Sequence, residues 1–408
     1  MARDRRAVII GAGITGTLSA RALAREGWDV TILEAAHVGA GSSSRTAAGI
    51  RQQWSTADTV RGMRYAVRVY NEWVERTGAD SIPIRANGYL FLAGDDAAWL
   101  AAQARVAMQK GVGLTDVEAL ASKELVERFP WIDGDTVKGG TFCPSDGFLL
   151  PSMIYQDGIA DAKRHGARLI SGAPVQAALS ENGRVTALRT PKGDFSGDVY
   201  LNCTNAWTRA LARDLGAEEL PVDPLKRYLW FIKRDGPMSA ETLAHMPLTI
   251  TPSGVYCRPE NQDTLLMGHA HPAKSEDGFT YEDQDVIEPD FAHTGGLEAA
   301  PFESWALLSE NIPAVGEFAG IAATTSGYYG TTPDHNPFFG YDRKLTNFVH
   351  LCGFSGHGAM FGPFSARVAL ALCEAGTDID VVDIEGEVIG MEAFKIGRKY
   401  IAHEAMVI

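Results

Sequence analysis

The chain has 408 residues, 45% hydrophobic and 22% charged, with 37 Lys and Arg against 51 Asp and Glu, a formal charge of −14. This composition excludes a disordered or fibrous chain, and the length predicts two or three domains, enough to enclose a buried ligand. The net negative charge argues against nucleic acid or an anionic membrane as partner, because their phosphates repel it.

The first elements are the clearest. An apolar strand, Ala7 to Ile10, meets Gly11-Ala12-Gly13-Ile14-Thr15-Gly16, and helical periodicity then runs through Ala20 and Leu23 to a stop at Gly27. A second apolar strand, Val30 to Leu33, ends in Glu34. Further on, Gly88 to Ala93 reads as a strand, Asp96 to Lys110 as a helix, and Pro151 to His165 as a helix ending before Gly166. Strands are expected around Leu169, over Val175 to Leu179 and over Val185 to Thr190, with hairpin turns at Asn182-Gly183 and Lys192-Gly193. Val199 to Cys203 is another strand, and a new region opens at Tyr228 to Lys233. A Gly-rich turn, Gly353 to Met360, precedes a helix expected over Pro363 to Glu374. No apolar run reaches the ~18 residues of a membrane helix, and the six residues ahead of Ala7 leave no room for a signal peptide. The five cysteines (Cys143, Cys203, Cys257, Cys352, Cys373) are scattered and form no C-x-x-C pair, which predicts a reducing, cytoplasmic setting without a disulfide framework.

The strand–turn–helix–strand unit is a dinucleotide fingerprint. Gly11 permits the tight turn, Gly13 lets backbone approach a pyrophosphate, and Gly16 lets the helix pack on the strand. The helix start at Ile14 and Thr15 offers N–H groups and the positive dipole end to phosphate. Glu34, 18 residues after Gly16, stands where a ribose hydroxyl needs an acceptor. A second small-residue loop with Ser43, Ser44, Arg45, Thr46 and Gly49 adds donors and one cation near the same phosphates. That loop favours FAD over a nicotinamide cofactor.

Three motifs follow one another: this N-terminal pair of loops with Gly49-Ile50-Arg51, then Tyr328-Tyr329-x-x-Thr332-Pro333-Asp334-His335-Asn336-Pro337, then Gly353-Phe354-Ser355-Gly356-His357-Gly358. In this order they resemble the D-amino acid oxidase superfamily, in the branch of sarcosine oxidase, dimethylglycine dehydrogenase and the β subunits of proline and opine dehydrogenases. The resemblance implies a mixed α/β fold: a Rossmann-like FAD-binding domain (1–86, 149–220 and 325–408 with a C-terminal tail) interleaved with a substrate domain on an antiparallel sheet (87–148 and 221–324). It implies oxidation of a C–N bond beside a carboxylate. It also places Gly353, Ser355, Gly356, His357, Gly358, Ala359 and Met360 along the flavin, with Val175 as a further cofactor contact. Pro333 and Asp334 are expected to hold a turn.

Departures from the family narrow the reading. Gly327 stands at the cysteine, and Thr46 at the histidine, through which some relatives attach FAD, so FAD is expected to be non-covalent. Arg51 matches a substrate-carboxylate arginine, with a pyrophosphate or loop contact as its alternative role; the lysine that partners it in relatives is replaced by Met360. Arg258 is a candidate for the missing cation, and Tyr256 and Tyr329 match cavity tyrosines. His269 and His271 flank an active-site histidine position; no metal site is expected. Leu266 aligns with the lysine that speeds the oxygen reaction in oxidases. That favours a dehydrogenase serving an electron-acceptor protein or partner subunit, with an oxidase using another cation, such as Lys226, as the alternative. The substrate is expected to be a small amino acid or amine. A nicotinamide dehydrogenase and a catalytically silent flavoprotein are the other classes left open.

Overall fold

The computed structural model describes residues 5–270, 282–399 and 403–406. The N-terminal unit forms as its pattern predicts: strand Arg6–Ile10, helix Ile14–Arg25 and strand Asp29–Glu34. Gly27, at φ +79°, supplies the left-handed residue beyond the helix. These strands sit inside a six-stranded sheet ordered Phe338–Tyr341, Phe348–Cys352, Val199–Asn202, Arg6–Ile10, Asp29–Glu34, Arg168–Ser171. All pairs are parallel except the antiparallel edge strand Phe338–Tyr341. Nearly every residue of its central strands is buried, as a parallel sheet covered on both faces requires.

Helix Ile14–Arg25 packs between helices Pro151–Arg164 and Gly358–Ala375. Each contributes a glycine at the contact. A Cβ on Gly158 would stand 3.0 Å from Leu18, and one on Gly362 would stand 2.7 Å from Ile14. The second of these helices begins at Gly358, five residues before the expected Pro363, which lies inside it. Pro363 has no N–H for the carbonyl of Ala359. The Tyr70 hydroxyl donates to that carbonyl instead, at 2.6 Å, so the helix tolerates the proline.

The other large element is an eight-stranded sheet, mostly antiparallel, ordered Gly320–Thr331, Asp223–Lys233, Thr264–His269, Val255–Asn261, Leu248–Ile250, Tyr89–Ala93, Gly139–Cys143, Glu118–Ala121. Its strands come from two stretches of chain that alternate with those of the parallel sheet, so the two layers are interleaved. Along Asp223–Lys233, Tyr228, Trp230 and Ile232 join a core beneath helix Ala300–Asn311, whereas Leu229 and Phe231 join a second cluster with Tyr89, Leu248, Tyr256 and Leu266. The second face looks toward the parallel sheet's loops.

Smaller departures have local causes. The hairpin strand expected at Val175 is Ala177–Glu181, because Ala173-Pro174-Val175 leaves the sheet with the Ala173 N–H bonded to the Glu34 carbonyl. Asn182 and Gly183 form the expected turn, both at positive φ. The next turn is Pro191-Lys192, since Thr190 pairs with Gly193. Among the described residues no helix is long and apolar enough to cross a membrane.

Candidate active site

The loops at the carboxyl ends of the parallel strands enclose a cavity of about 300 Å³, and Gly11, Gly13, Thr15 and Glu34 stand on its wall. The glycines divide the work. Gly11 takes φ +98°, and a Cβ there would approach the Cys203 carbonyl to 3.0 Å. A Cβ on Gly16 would lie 2.0 Å from the Gly11 carbonyl oxygen, so this residue seats the helix on its own turn and does not line the cavity. A Cβ on Gly13 would meet only the Ser43 hydroxyl, at 2.9 Å, and that hydroxyl accepts from the Ile14 N–H at 3.0 Å. Glu34, 3% exposed, accepts from the Ala12 and Ala36 N–H groups, both at 2.8 Å, and so braces the glycine turn while walling the cavity.

From the second loop, Ser43, Arg45 and Thr46 line this cavity; Ser44 instead donates to the Gly41 carbonyl of its own turn. The Arg45 guanidinium pairs with Asp285 at 2.8 Å. Val175 is on the wall, as is Asn205, which the sequence did not mark. Asn205, at φ 48°, accepts through Oδ1 from the Gly353 and Phe354 N–H groups at 3.1 and 3.2 Å, and thereby fixes the C-terminal glycine turn. Within that turn Gly353 and Ser355 do not line the cavities; the Ser355 N–H donates to Gly330 and its hydroxyl accepts from the Thr332 N–H. Gly356, at φ +91°, lies against the ring of Tyr329, which a Cβ would meet at 2.4 Å. Gly358 and Ala359 complete the wall.

Asp334 forms a buried bidentate pair with Arg398, at 2.6 and 2.7 Å, and caps the Asn336 N–H, so the Thr-Pro-Asp motif holds a turn. Gly327 lies so close to the second loop that a Cβ would meet Arg45 Cβ at 2.7 Å and its carbonyl at 2.9 Å. No cysteine fits there without moving that loop.

A smaller chamber of about 40 Å³ adjoins the cavity and shares Thr46, Tyr329, Gly356 and Ala359 with it. Gly49, Tyr89, Leu248, Tyr256, His357 and Met360 complete much of its wall. Burial, followed by the neighbouring Tyr329, pushes the Tyr256 phenol well above its ordinary value. Burial and then the charge of Arg51 hold the His357 imidazole well below its ordinary value; its Nδ1 has no partner among the described residues. Leu266, 1% exposed, packs in the apolar cluster of Tyr89, Leu229 and Tyr256. Lys226 lies on the opposite face of its strand from Leu229 and pairs with Glu288 at 2.8 Å.

Three candidates lie off the walls of both cavities. Arg51 is wholly buried, stacked at 3.8 Å over Trp54, with its guanidinium donating to the Gln53 carbonyl at 2.6 Å and to the Met406 carbonyl. It lines neither cavity. Arg258 spends its donors on the Ala47 and Pro259 carbonyls and on Glu260. His269 is turned by strand alternation to the far face, where its ring contacts Ser304 and the Ser253 carbonyl. His271 lies outside the described residues. Among the described residues, no three or more His, Cys, Asp or Glu are grouped to hold a metal ion.

The donor set suits FAD: a helix start and glycine turn for a pyrophosphate, an acid at the end of the second strand, and a side chamber at the far end. The model of FAD dependent oxidoreductases matches residues 6–372. The chain is 26% identical over 375 residues to human mitochondrial dimethylglycine dehydrogenase, covering 86% of this chain and 40% of that protein. It is 25% identical over 362 residues to the mouse mitochondrial pyruvate dehydrogenase phosphatase regulatory subunit, covering 87% and 40%. The chain thus spans about two-fifths of the length of these relatives. The solved structure of L-proline dehydrogenase from P. horikoshii superposes with a TM-score of 0.80 at 27% identity, over 93% of this chain and 95% of that one. A family match over nearly all of the two interleaved layers, with FAD as the family's cofactor, establishes that the chain belongs to the FAD dependent oxidoreductases.

Proposed function

We propose that this chain oxidises the C–N bond of an amino acid or N-alkyl amino acid, with FAD held non-covalently. The observation that carries the reading is the junction of the two cavities. Thr46, Tyr329, Gly356 and Ala359 wall both, so a molecule in the tyrosine-lined chamber would meet one end of a dinucleotide in the larger cavity. Bound FAD supplies a hydride acceptor, N5, for the hydride of the carbon beside a deprotonated amine, and the resulting imine hydrolyses in water to a carbonyl compound and an amine.

The chain's own groups orient and enclose. Tyr89, Leu248, Tyr256 and Met360 exclude water from the chamber. Tyr256 stays protonated at working pH and is a hydrogen-bond donor or acceptor for the substrate nitrogen, shared with Tyr329. The neutral His357 leaves the amine free of a competing charge. Helix Gly358–Ala375 starts on the shared wall, so its first N–H groups and positive dipole end would favour negative charge on a flavin held there. Segments 1–86, 149–220 and 325–408 carry FAD in this reading, and 87–148 and 221–324 enclose the substrate.

Buried Leu266 supports a dehydrogenase, because no ammonium stands there to stabilise superoxide. Similarity to a dimethylglycine and an L-proline dehydrogenase points the same way. A separate electron acceptor is then needed. The five cysteines are buried free thiols, compatible with a reducing cytoplasm.

The purified protein should be yellow, acid precipitation should release its FAD, and turnover with a dye acceptor should generate an aldehyde or 2-oxo acid from a member of an N-alkyl, D- and L-amino acid panel. Flavin left on the denatured chain contradicts non-covalent binding. No carbonyl product from any member favours a catalytically silent flavoprotein, the reading to which similarity to the regulatory subunit gives weight.

A further inference from the structure

A buried file of side chains leads from Asp342 to the wall of the larger cavity, and the oxidation chemistry does not use it. Asp342 accepts the Lys344 and Leu345 N–H groups on Oδ1, both at 2.7 Å. On Oδ2 it accepts the Glu218 N–H at 2.7 Å and His350 Nε2 at 2.9 Å. The side chains of Asp342 and His350 are wholly buried. His350 Nδ1 lies 3.1 Å from Asn202 Nδ2, and Asn202 Oδ1 accepts from the Thr204 N–H at 3.0 Å and its hydroxyl at 2.6 Å. Thr204 and the next residue, Asn205, are both on the cavity wall.

The direction of each bond is fixed. The Thr204 N–H can only donate, so the Asn202 oxygen faces Thr204 and the Asn202 NH2 faces His350. His350 therefore accepts at Nδ1 and carries its proton on Nε2, toward Asp342. The second Asn202 N–H reaches the Thr208 hydroxyl at 3.3 Å, so the amide is fully used. A proton added to His350 Nδ1 would meet the Asn202 NH2, donor against donor. Turning the amide over relieves that contact but sets its NH2 against the Thr204 N–H. The turn at stake is strained: Asn205 is a non-glycine residue at φ 48°, and its Oδ1 holds the Gly353 and Phe354 N–H groups.

The surroundings leave this role to His350. On the face it shares, burial pushes the Tyr200 phenol up and the Cys352 thiol up to about 12, so both stay neutral. Gly340, opposite it on the edge strand, adds no side chain, and helix Thr208–Leu215 brings Thr208, Leu211 and Leu215. Nearer Asp342, Glu218 pairs with Arg343, and Lys344 Nζ donates to the Ala217 carbonyl.

We propose that His350 is a positioning residue for FAD: through Asn202 it holds the Thr204–Asn205 turn against the cofactor, and a proton taken from water at Nδ1 loosens the turn and speeds FAD loss. This goes beyond the amine-oxidising reading and holds whatever the substrate is.

The test dilutes the FAD-loaded protein at pH 8 and at pH 5.5 and follows the departing FAD by its fluorescence. Wild type should lose FAD about tenfold faster at the lower pH. In His350→Gln the amide oxygen can accept from Asn202 while its NH2 donates to Asp342, and nothing titrates. This variant should match wild type at pH 8 and change less than about twofold at pH 5.5. His350→Leu leaves Asn202 and Asp342 each short of a partner, and should lose FAD about tenfold faster than wild type at pH 8, with no further acid effect. A His350→Gln variant as acid-sensitive as wild type overturns the proposal, as does a wild type that releases FAD equally at both pH values. A folded His350→Leu that keeps FAD at the wild-type rate at pH 8 also overturns it. Melting of the apoproteins shows which variants are folded; should His350→Leu fail, the comparison with His350→Gln decides alone.

Discussion

The parallel and antiparallel layers build their parts of the site by different means. Around the parallel sheet the site is made of turns within a few residues of strand ends: Gly11 to Gly16 after the first strand, Glu34 closing the second, Ala173 to Val175 after Arg168–Ser171, Asn205 after Val199–Asn202 and Gly353 to Gly358 after Phe348–Cys352. On the antiparallel sheet it is a face: Tyr256, Leu266, Leu229 and Tyr89 come from four strands and are brought together only by pairing. Turn-built sites depend on backbone shape at single positions. Face-built sites depend on register, and side chains there can be exchanged with less risk to the fold. The two should therefore break differently.

The sharpest test of the first half is Gly16→Val. Its Cβ would overlap the Gly11 carbonyl at 2.0 Å, a backbone contact that cannot yield. We expect no folded, yellow protein. Gly13→Val meets only the movable Ser43 hydroxyl, so the chain should fold with a melting temperature within a few degrees of the apo wild type and yet bind no FAD. Equal behaviour of the two variants would dissolve the distinction between shape and cradle.

Next in size is the Asp334–Arg398 pair, buried on both sides. Arg398→Met leaves an uncompensated carboxylate beneath the C-terminal turn and should cost about 3–5 kcal/mol in chemical denaturation. A loss under about 1 kcal/mol would show the turn to be held by its neighbours alone.

Asp146 sits at the seam between the layers, accepting from the Gln52 N–H and both the Gln52 and Gln53 side-chain amides. Burial pushes its carboxyl up to about 7, against those donors. The folded value is then above the unfolded one, so its contribution to stability is present near pH 4 and lost as pH rises through about 7. Relative to Asp146→Asn, wild type should lose stability between pH 4 and 8, by at most ~4 kcal/mol for a shift of this size. A pH-independent difference between the two proteins would contradict this.

For the face-built half, Leu266→Lys should keep FAD and speed reoxidation by dioxygen about 100-fold, the scale of one preorganised charge. The gain should be larger at low pH, since burial among apolar side chains lowers an ammonium's pKa. Wild-type enzyme that already reoxidises in air as fast as it turns over with dye would replace the dehydrogenase reading with an oxidase.

The same contrast explains what could be read from the residues alone. The dinucleotide unit was legible because its strand, glycines, helix and acid lie in one short stretch with matching periodicities. Strand Gly320–Thr331 was not: Ala, Thr, Ser and Gly fill most of it, and its support comes from pairing along Asp223–Lys233. The early start of helix Gly358–Ala375 depends on Tyr70, almost 290 residues away, and no local signal announces it. Arg51 shows the same limit. Its motif position is legible, whereas the aromatic box and the Met406 carbonyl that occupy it are tertiary. Asn205 did have a signal, a side chain tolerant of left-handed backbone just past a parallel strand.

The central claim, that the tyrosine-walled chamber delivers an amino acid's C–N bond to a flavin in the adjoining cavity, is tested most directly by mixing the purified protein anaerobically with the amino-acid panel and recording the flavin's visible band. The account predicts that at least one carboxylate-bearing amine bleaches the band within the time of turnover, and that Tyr329→Phe, which keeps the ring and removes its hydroxyl, slows the bleaching about tenfold at unchanged FAD content. A flavin that stays oxidised with every amino acid, while dithionite reduces it fully, would contradict the account.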